Sequence, residues 1–187
     1  MRYDLKSFVE LECAAMDLIA SKTLRYIKRT MGLDERKVAW IFLDKKEVLA
    51  EVPEYLDYFK QYKLIPRECA CTILYNDLVL HIDTPPVVAK MNFPIYNTSG
   101  WANRWYTTTS DLLESLPFKR DALGFDNVDT TSLKMEEIAL ISEHKNFTKP
   151  ILLNSQQLHS VEKLNNVEVP RVMLTFTFLN DPWEMLR

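Results

Sequence analysis

The chain is expected to be mainly β, a sandwich or jelly roll carrying helices at its N-terminal end, and three observations predict this. From Arg67 onward, short runs of alternating apolar residues are separated by turn residues. Before Arg67, apolar residues recur instead at spacings of three and four. Of the 187 residues, 47% are hydrophobic and only three are glycine, which is ample for a core and leaves no low-complexity stretch. The length suits one domain, residues 1–187, with residues 1–63 as a helical buttress and residues 64–187 as the β core.

In chain order, Phe8, Leu11, Ala15, Leu18 and Ile19 begin an apolar stripe that Leu24, Ile27 and Met31 continue. Gly32 is a natural helix stop. Asp44 reads as the N-cap of a short helix over residues 45–51. Pro53 opens another helix, which buries Tyr55, Leu56, Phe59 and Tyr62. Strands follow at residues 69–75, 78–84, 88–96 and 104–109. Asn76-Asp77 is the turn between the first two, and Pro85-Pro86 ends the second. Residues 110–134 are polar and mixed, a short helix and a loop. Residues 137–142, 151–154, 158–162 and 171–178 complete a set of about eight short strands. A helical stripe of this length gains its stability from packing. The convex outer face of the larger sheet is the surface expected to receive it, and a dimer interface is the competing use.

Composition excludes several classes of function. The net charge of −3 and pI near 5.7 give no general electrostatic basis for nucleic-acid binding. No apolar run approaches the roughly 18 residues of a membrane span. The first residues, Met1-Arg-Tyr-Asp-Leu5, lack the apolar segment of a signal peptide. Cys13, Cys69 and Cys71 are odd in number and lack metal spacing, so they read as reduced residues of a cytoplasmic protein.

The residues that carry chemistry are His81, Asp83, His159 and Arg171. On a strand, positions two apart project side by side, so His81 and Asp83 can chelate one ion. His159 must come from a distant strand, and a jelly roll brings such strands together. Two imidazoles and one carboxylate fill one face of an Fe(II) coordination sphere and leave the other positions open, while Zn, Mn and Ni remain chemically acceptable. Arg171 opens a strongly β-prone strand, and a planar guanidinium grips a carboxylate in bidentate fashion. His144 reads as a surface residue. Asn92 alternates with Met91, Phe93 and Ile95, which turns it toward the barrel interior. Trp101, Asn103, Arg104 and Trp105 follow the loop at residues 97–100 and are candidates for a substrate mouth.

These motifs resemble a known family. His81-Ile-Asp83, Met91-Asn-Phe-Pro-Ile-Tyr-Asn97, Trp105-Tyr106, His159-Ser-Val161 and Arg171 are similar to the 2-oxoglutarate- and Fe(II)-dependent dioxygenases, in particular to small phage and bacterial members. The resemblance spans residues 64–179. It implies a double-stranded β-helix (jelly roll, cupin-like) buttressed by helices, with His81, Asp83 and His159 on iron and Arg171 on the distal carboxylate of 2-oxoglutarate. It implies Fe(II), 2-oxoglutarate and O2 as cofactor and co-substrates of a hydroxylase-type reaction on a small molecule or peptide. The location it implies is the cytoplasm, or the host cytoplasm for a phage protein. One departure stands out. Many members place Ser or Thr two residues after the arginine, where this chain has Met173. A hydroxyl from Thr175, Tyr75 or Tyr106 would then share the carboxylate, with Asn92 nearby. Trp101, Arg104 and Trp105 are assigned to substrate. A non-catalytic jelly-roll binding or structural protein is the competing reading. Fold and iron site do not choose the substrate.

Overall fold

The computed structural model describes residues 6–33, 39–83, 87–120, 126–164 and 167–186. The first third holds β1 (Phe8–Glu10), α1 (Met16–Thr30), β2 (Ala39–Leu43), α2 (Lys45–Glu51) and α3 (Glu54–Gln61). There follow β3 (Pro66–Leu74), β4 (Leu78–His81), β5 (Ala89–Tyr96), β6 (Trp101–Thr107) and α4 (Ser110–Ser115). The rest is β7 (Phe118–Arg120), β8 (Asp126–Val128), β9 (Ala139–Lys145), β10 (Ile151–Asn154), β11 (His159–Lys163), β12 (Arg171–Phe178) and α5 (Pro182–Met185). Thr84, Pro85 and Pro86, expected to end the second strand, lie outside the described residues.

Two antiparallel sheets form a jelly roll. The larger runs β1-β10-β5-β12-β3-β2 and the smaller β4-β11-β6-β9, with β7 and β8 as a separate hairpin. Side chains alternate across a strand, so each strand of the larger sheet serves two layers. On β12, Val172, Leu174 and Phe176 join the core shared with the helices, while Arg171, Met173, Thr175 and Thr177 face the cavity between the sheets. The helix-side core contains Ile19 and Ile27 from α1, Val48 from α2, and Tyr55 and Phe59 from α3, packed against Cys71, Met91, Phe93, Leu174 and Phe176. Tyr55 meets Phe93 edge-on at 4.8 Å between centroids, and Phe59 meets Phe176 in the same way at 4.8 Å. Helices thus cover the outer face of the larger sheet. A second core of Leu74, Trp101, Trp105, Phe147, Ile151, Leu153, Val161 and Met173 lies between the sheets.

Local chemistry sets the helix ends. The Asp44 carboxylate accepts the Lys46 backbone N–H at 2.7 Å and caps α2. Gly32 takes φ +72 after α1, and the N–H groups of Met31 and Gly32 both reach the Ile27 carbonyl. The expectation of a purely helical first third needs correction. The helix begins only at Met16, and Phe8 belongs to a strand. β1 and β2 form the two edges of the larger sheet. Leu18 and Leu56 point outward, 48% and 49% exposed, because α1 and α3 turn other faces to the sheet. Cys13, Cys69 and Cys71 are free thiols, and burial pushes the thiols of Cys69 and Cys71 up, as an inert core role requires. Among the described residues no helix is long and apolar enough to cross a membrane.

Candidate metal centre

β4 and β11 are antiparallel neighbours, and their register sets His81 opposite His159. Directly paired residues project to one face, and the two rings lie 4.1 Å apart between centroids. Asp83 falls two residues beyond the end of β4 rather than on the strand. Its backbone N–H donates to the Ser155 carbonyl at 3.0 Å, which holds the chain beside the strand–turn junction after β10. The three side chains place one ligand atom each within 4.8 Å of one another.

Hydrogen bonds orient all three. His81 Nδ1 lies 2.8 Å from the Val79 carbonyl, and His159 Nδ1 lies 2.7 Å from the Gln157 carbonyl. A carbonyl only accepts, so each Nδ1 carries the proton and each Nε2 presents its lone pair. Asp83 Oδ1 is paired with Lys90 Nζ at 2.6 Å. Its Oδ2 is buried with no hydrogen-bond donor among the described residues and sits 4.0 Å from His159 Nε2. An unsatisfied buried acceptor costs about 1–3 kcal/mol, and a cation placed among these atoms would remove that cost. The donor set, two neutral nitrogens and one anionic oxygen, fits a divalent transition ion with open positions.

The electrostatics agree with that state. Burial pushes the His159 imidazole down to about 3, and the neighbouring His81 ring adds to the shift. Burial also lowers His81. Burial would raise the Asp83 carboxyl, but the Lys90 ammonium and the two imidazoles outweigh it and hold the carboxyl below its usual value. The site is therefore deprotonated and ready for an ion at neutral pH. A pH dependence follows by linkage. The folded protein keeps His159 neutral down to about pH 3, whereas the unfolded imidazole binds its proton near 6.5. The unfolded state holds more protons between those values, so stability is present above 6.5 and is lost as pH falls toward 3. Thermal melts of metal-free protein should show Tm falling across that window, with a shallower fall in His159→Asn. Parallel curves for the two proteins would refute the assignment.

Beside the centre lies a cavity of about 480 Å³. At its buried end Arg171 is 2% exposed, and burial pushes its guanidinium down to about 9. Its Nη2 donates to Asn103 Oδ1 at 3.3 Å, and its carbon lies 4.7 Å from the Phe147 ring centroid and 5.8 Å from that of Trp101. Among the described residues its Nε has no hydrogen-bond partner and no carboxylate lies within ion-pair distance. A buried cation in that state is poised for an anion. Met173 and Thr175 line the same wall, and Thr175 Oγ1 donates to Asn92 Oδ1 at 2.7 Å. Trp40 and Phe42 of β2 with Arg67 and Glu68 of β3 border the other end, where Phe42 is 52% exposed.

Among the candidates, His81, Asp83, His159, Arg171, Thr175, Asn92 and Asn103 line this cavity. Trp101, Arg104, Trp105 and Tyr106 are not among its lining residues. Alternation on β6 explains Arg104 and Tyr106, while Trp101 and Trp105 share the inward face with Asn103. Trp101 and Trp105 fill the inter-sheet core, with Trp105 stacked on Phe8 at 5.0 Å. Arg104 and Tyr106 turn to the outer face, where Arg104 pairs with Glu143 and Glu162 and the Tyr106 hydroxyl donates to Glu162. The Tyr75 hydroxyl donates to the Leu33 carbonyl. The segment expected at a substrate mouth, residues 101–105, lies within β6, set inside the smaller sheet. His144 is not a surface residue. It is buried against Phe8 and Phe147, with Nε2 2.8 Å from Glu10 Oε1. Sequence reading passed over Trp40, Phe42, Glu68 and Lys90. The alternation that turned Asn92 inward applies equally to Lys90, two residues earlier.

No protein-family model and no curated protein matches the chain. Its fold matches solved structures. The epimerase SnoN in complex with Fe3+, alpha ketoglutarate and nogalamycin RO aligns at TM-score 0.58 and 11% identity, over 96% of this chain and 81% of that one. HygX from Streptomyces hygroscopicus with nickel and 2-oxoglutarate bound aligns at TM-score 0.55 and 12% identity, over 94% and 83%. What the chain shares with these two structures is the fold, a jelly roll buttressed by helices.

Proposed function

We propose that the chain is an Fe(II)- and 2-oxoglutarate-dependent oxygenase of the hydroxylase type, acting on a small molecule. One observation carries the reading. Two oriented Nε2 atoms and an Asp83 oxygen converge on the wall of a cavity whose buried end holds the Arg171 guanidinium, and among the described residues that oxygen has no donor and that guanidinium no carboxylate. Metal ligands and an anion grip in one cavity are what an iron site with a dicarboxylate co-substrate requires.

In this reading His81, Asp83 and His159 hold the ion, and the carbonyls of Val79 and Gln157 fix the imidazoles so that little reorganisation accompanies binding. Bound iron with a keto acid supplies the oxidising power to attack an unactivated C–H bond. Arg171 holds the distal carboxylate of 2-oxoglutarate, steadied by Asn103 and by the Phe147 ring. With Met173 where a hydroxyl is usual, Thr175 is the candidate hydroxyl of the three that lines the cavity. The 480 Å³ volume suits a co-substrate and a small-molecule substrate together. The apolar walls keep water from the reacting centre.

Anaerobic titration with Fe(II) and 2-oxoglutarate tests the reading through the visible metal-to-ligand charge-transfer band, and aerobic incubation through succinate release. A protein that binds iron but forms no succinate with any small-molecule panel would favour a non-catalytic jelly-roll binding module. Arg171→Lys keeps the charge and loses the fork. It should weaken 2-oxoglutarate binding about ten- to hundredfold, the worth of a charged hydrogen bond, while iron affinity holds. Unchanged 2-oxoglutarate affinity would move the carboxylate elsewhere.

A further inference from the structure

Lys90 is the charged residue of the cavity that touches a proposed ligand and has no role in the proposed function. It stands on β5, on the same face as Asn92, and its side chain is only 13% exposed, as is that of Asp83. Burying an ammonium is costly without close partners. Lys90 has two. Its Nζ is 2.6 Å from Asp83 Oδ1 and 4.4 Å from the centroid of the Trp40 ring. A cation over a tryptophan face is attracted to the ring, more strongly where water is excluded.

Counting ligand positions gives this contact its consequence. An octahedral ion offers six positions. His81, His159 and one oxygen of Asp83 would take three, and a chelating keto acid would take two more. A carboxylate also binds readily through both oxygens, and a second oxygen from Asp83 would occupy the last position. In this protein the two oxygens are not equivalent. Oδ1 is engaged by Lys90, and Oδ2 is buried, without a partner among the described residues, and turned toward His159 Nε2.

We propose that Lys90 is a positioning residue that restricts Asp83 to one ligating oxygen, Oδ2, and so keeps the last position of the ion open. Trp40 holds the ammonium in place from β2, the edge strand that also borders the cavity mouth. The ligand geometry and the mouth are thereby tied through one side chain. The inference rests on the oxygenase reading.

The test uses nitric oxide as a probe of the open position. Wild type, Lys90→Met and Lys90→Arg are loaded anaerobically with Fe(II) and 2-oxoglutarate and titrated with nitric oxide, followed by electron paramagnetic resonance. Lys90→Met, close in shape but uncharged, should bind nitric oxide about ten- to hundredfold more weakly, the range for loss of an outer-shell partner. Lys90→Arg should restore most of the affinity. Equal nitric oxide affinity in Lys90→Met and wild type overturns the proposal. A crystal structure of Mn(II)-loaded wild type decides the point even where a variant fails to fold. One oxygen of Asp83 on the ion with the other on Lys90 supports it, and both oxygens on the ion sinks it. Failure of wild type to bind Fe(II) at all instead removes the oxygenase reading, and the role of Lys90 with it.

Discussion

His159→Ala is expected to abolish iron binding while leaving the protein folded. His159 is 4% exposed on β11, between β4 and β6, and its Nε2 is one of three donors meeting within 4.8 Å. Losing an outer-shell partner already costs about ten- to hundredfold in affinity, so losing a donor itself should exceed that range. The fold has reason to survive. The imidazole is buried at the cavity wall and is driven neutral by burial, and metal-free protein stores an acid-sensitive penalty there that alanine removes. His144→Ala is the matched control. That imidazole is also buried, but it packs on Phe8 and Phe147 against Glu10, away from the cavity. It should lower Tm and leave iron affinity alone. Isothermal titration with Fe(II) under argon measures both. Full-affinity iron in folded His159→Ala would end the proposed ligand set.

The candidate cluster is legible in the sequence because strand geometry is simple. Period-two alternation turned His81, Asn92, Arg171 and Thr175 inward, and a jelly roll places β4 beside β11. Alternation failed as a guide where its phase was not applied. On β6 it separates Asn103 from Arg104 as surely as it separates Met91 from Asn92, so residue chemistry alone does not place the four residues after the loop on one face. Tryptophan is ambiguous in that setting, since a large amphipathic ring serves a core or a mouth equally. β2 shows a second kind of blindness. Trp40-Ile-Phe-Leu43 is apolar throughout because Ile41 and Leu43 face the helices while Trp40 and Phe42 face the cavity. A short run with two apolar faces carries no period to read. β1 has only three residues, and its pairing with β10 depends on a partner far along the chain. The Lys90–Asp83–Trp40 contacts join three separate elements, and such contacts are tertiary facts that no local pattern holds.

Deletion of residues 1–33 is expected to give an unfolded or insoluble product. The deletion removes β1 from one edge of the larger sheet and α1 from its outer face. It takes away the buried side chains of Leu11, Met16, Ile19, Tyr26 and Ile27 and uncovers their neighbours. Fully burying a large apolar side chain is worth about 1.5–3 kcal/mol. Five of them amount to roughly 8–15 kcal/mol, as much as the whole net stability of about 5–15 kcal/mol of an ordinary domain. Polar ties go as well. Thr23 Oγ1 hydrogen-bonds the buried Tyr55 hydroxyl at 2.9 Å, and Lys22 pairs with Glu54. Loss of α1 would leave the Tyr55 hydroxyl buried and unsatisfied or open the α3 contact altogether. The deletion would also expose β10 as a new edge, a template for aggregation. The competing idea, that the apolar stripe of the first third is a dimer interface, predicts a folded, soluble monomer after deletion. Circular dichroism and size-exclusion chromatography of the truncated protein separate the two, and a folded, iron-binding monomer of residues 34–187 would overturn the view that the helices and the jelly roll share one core.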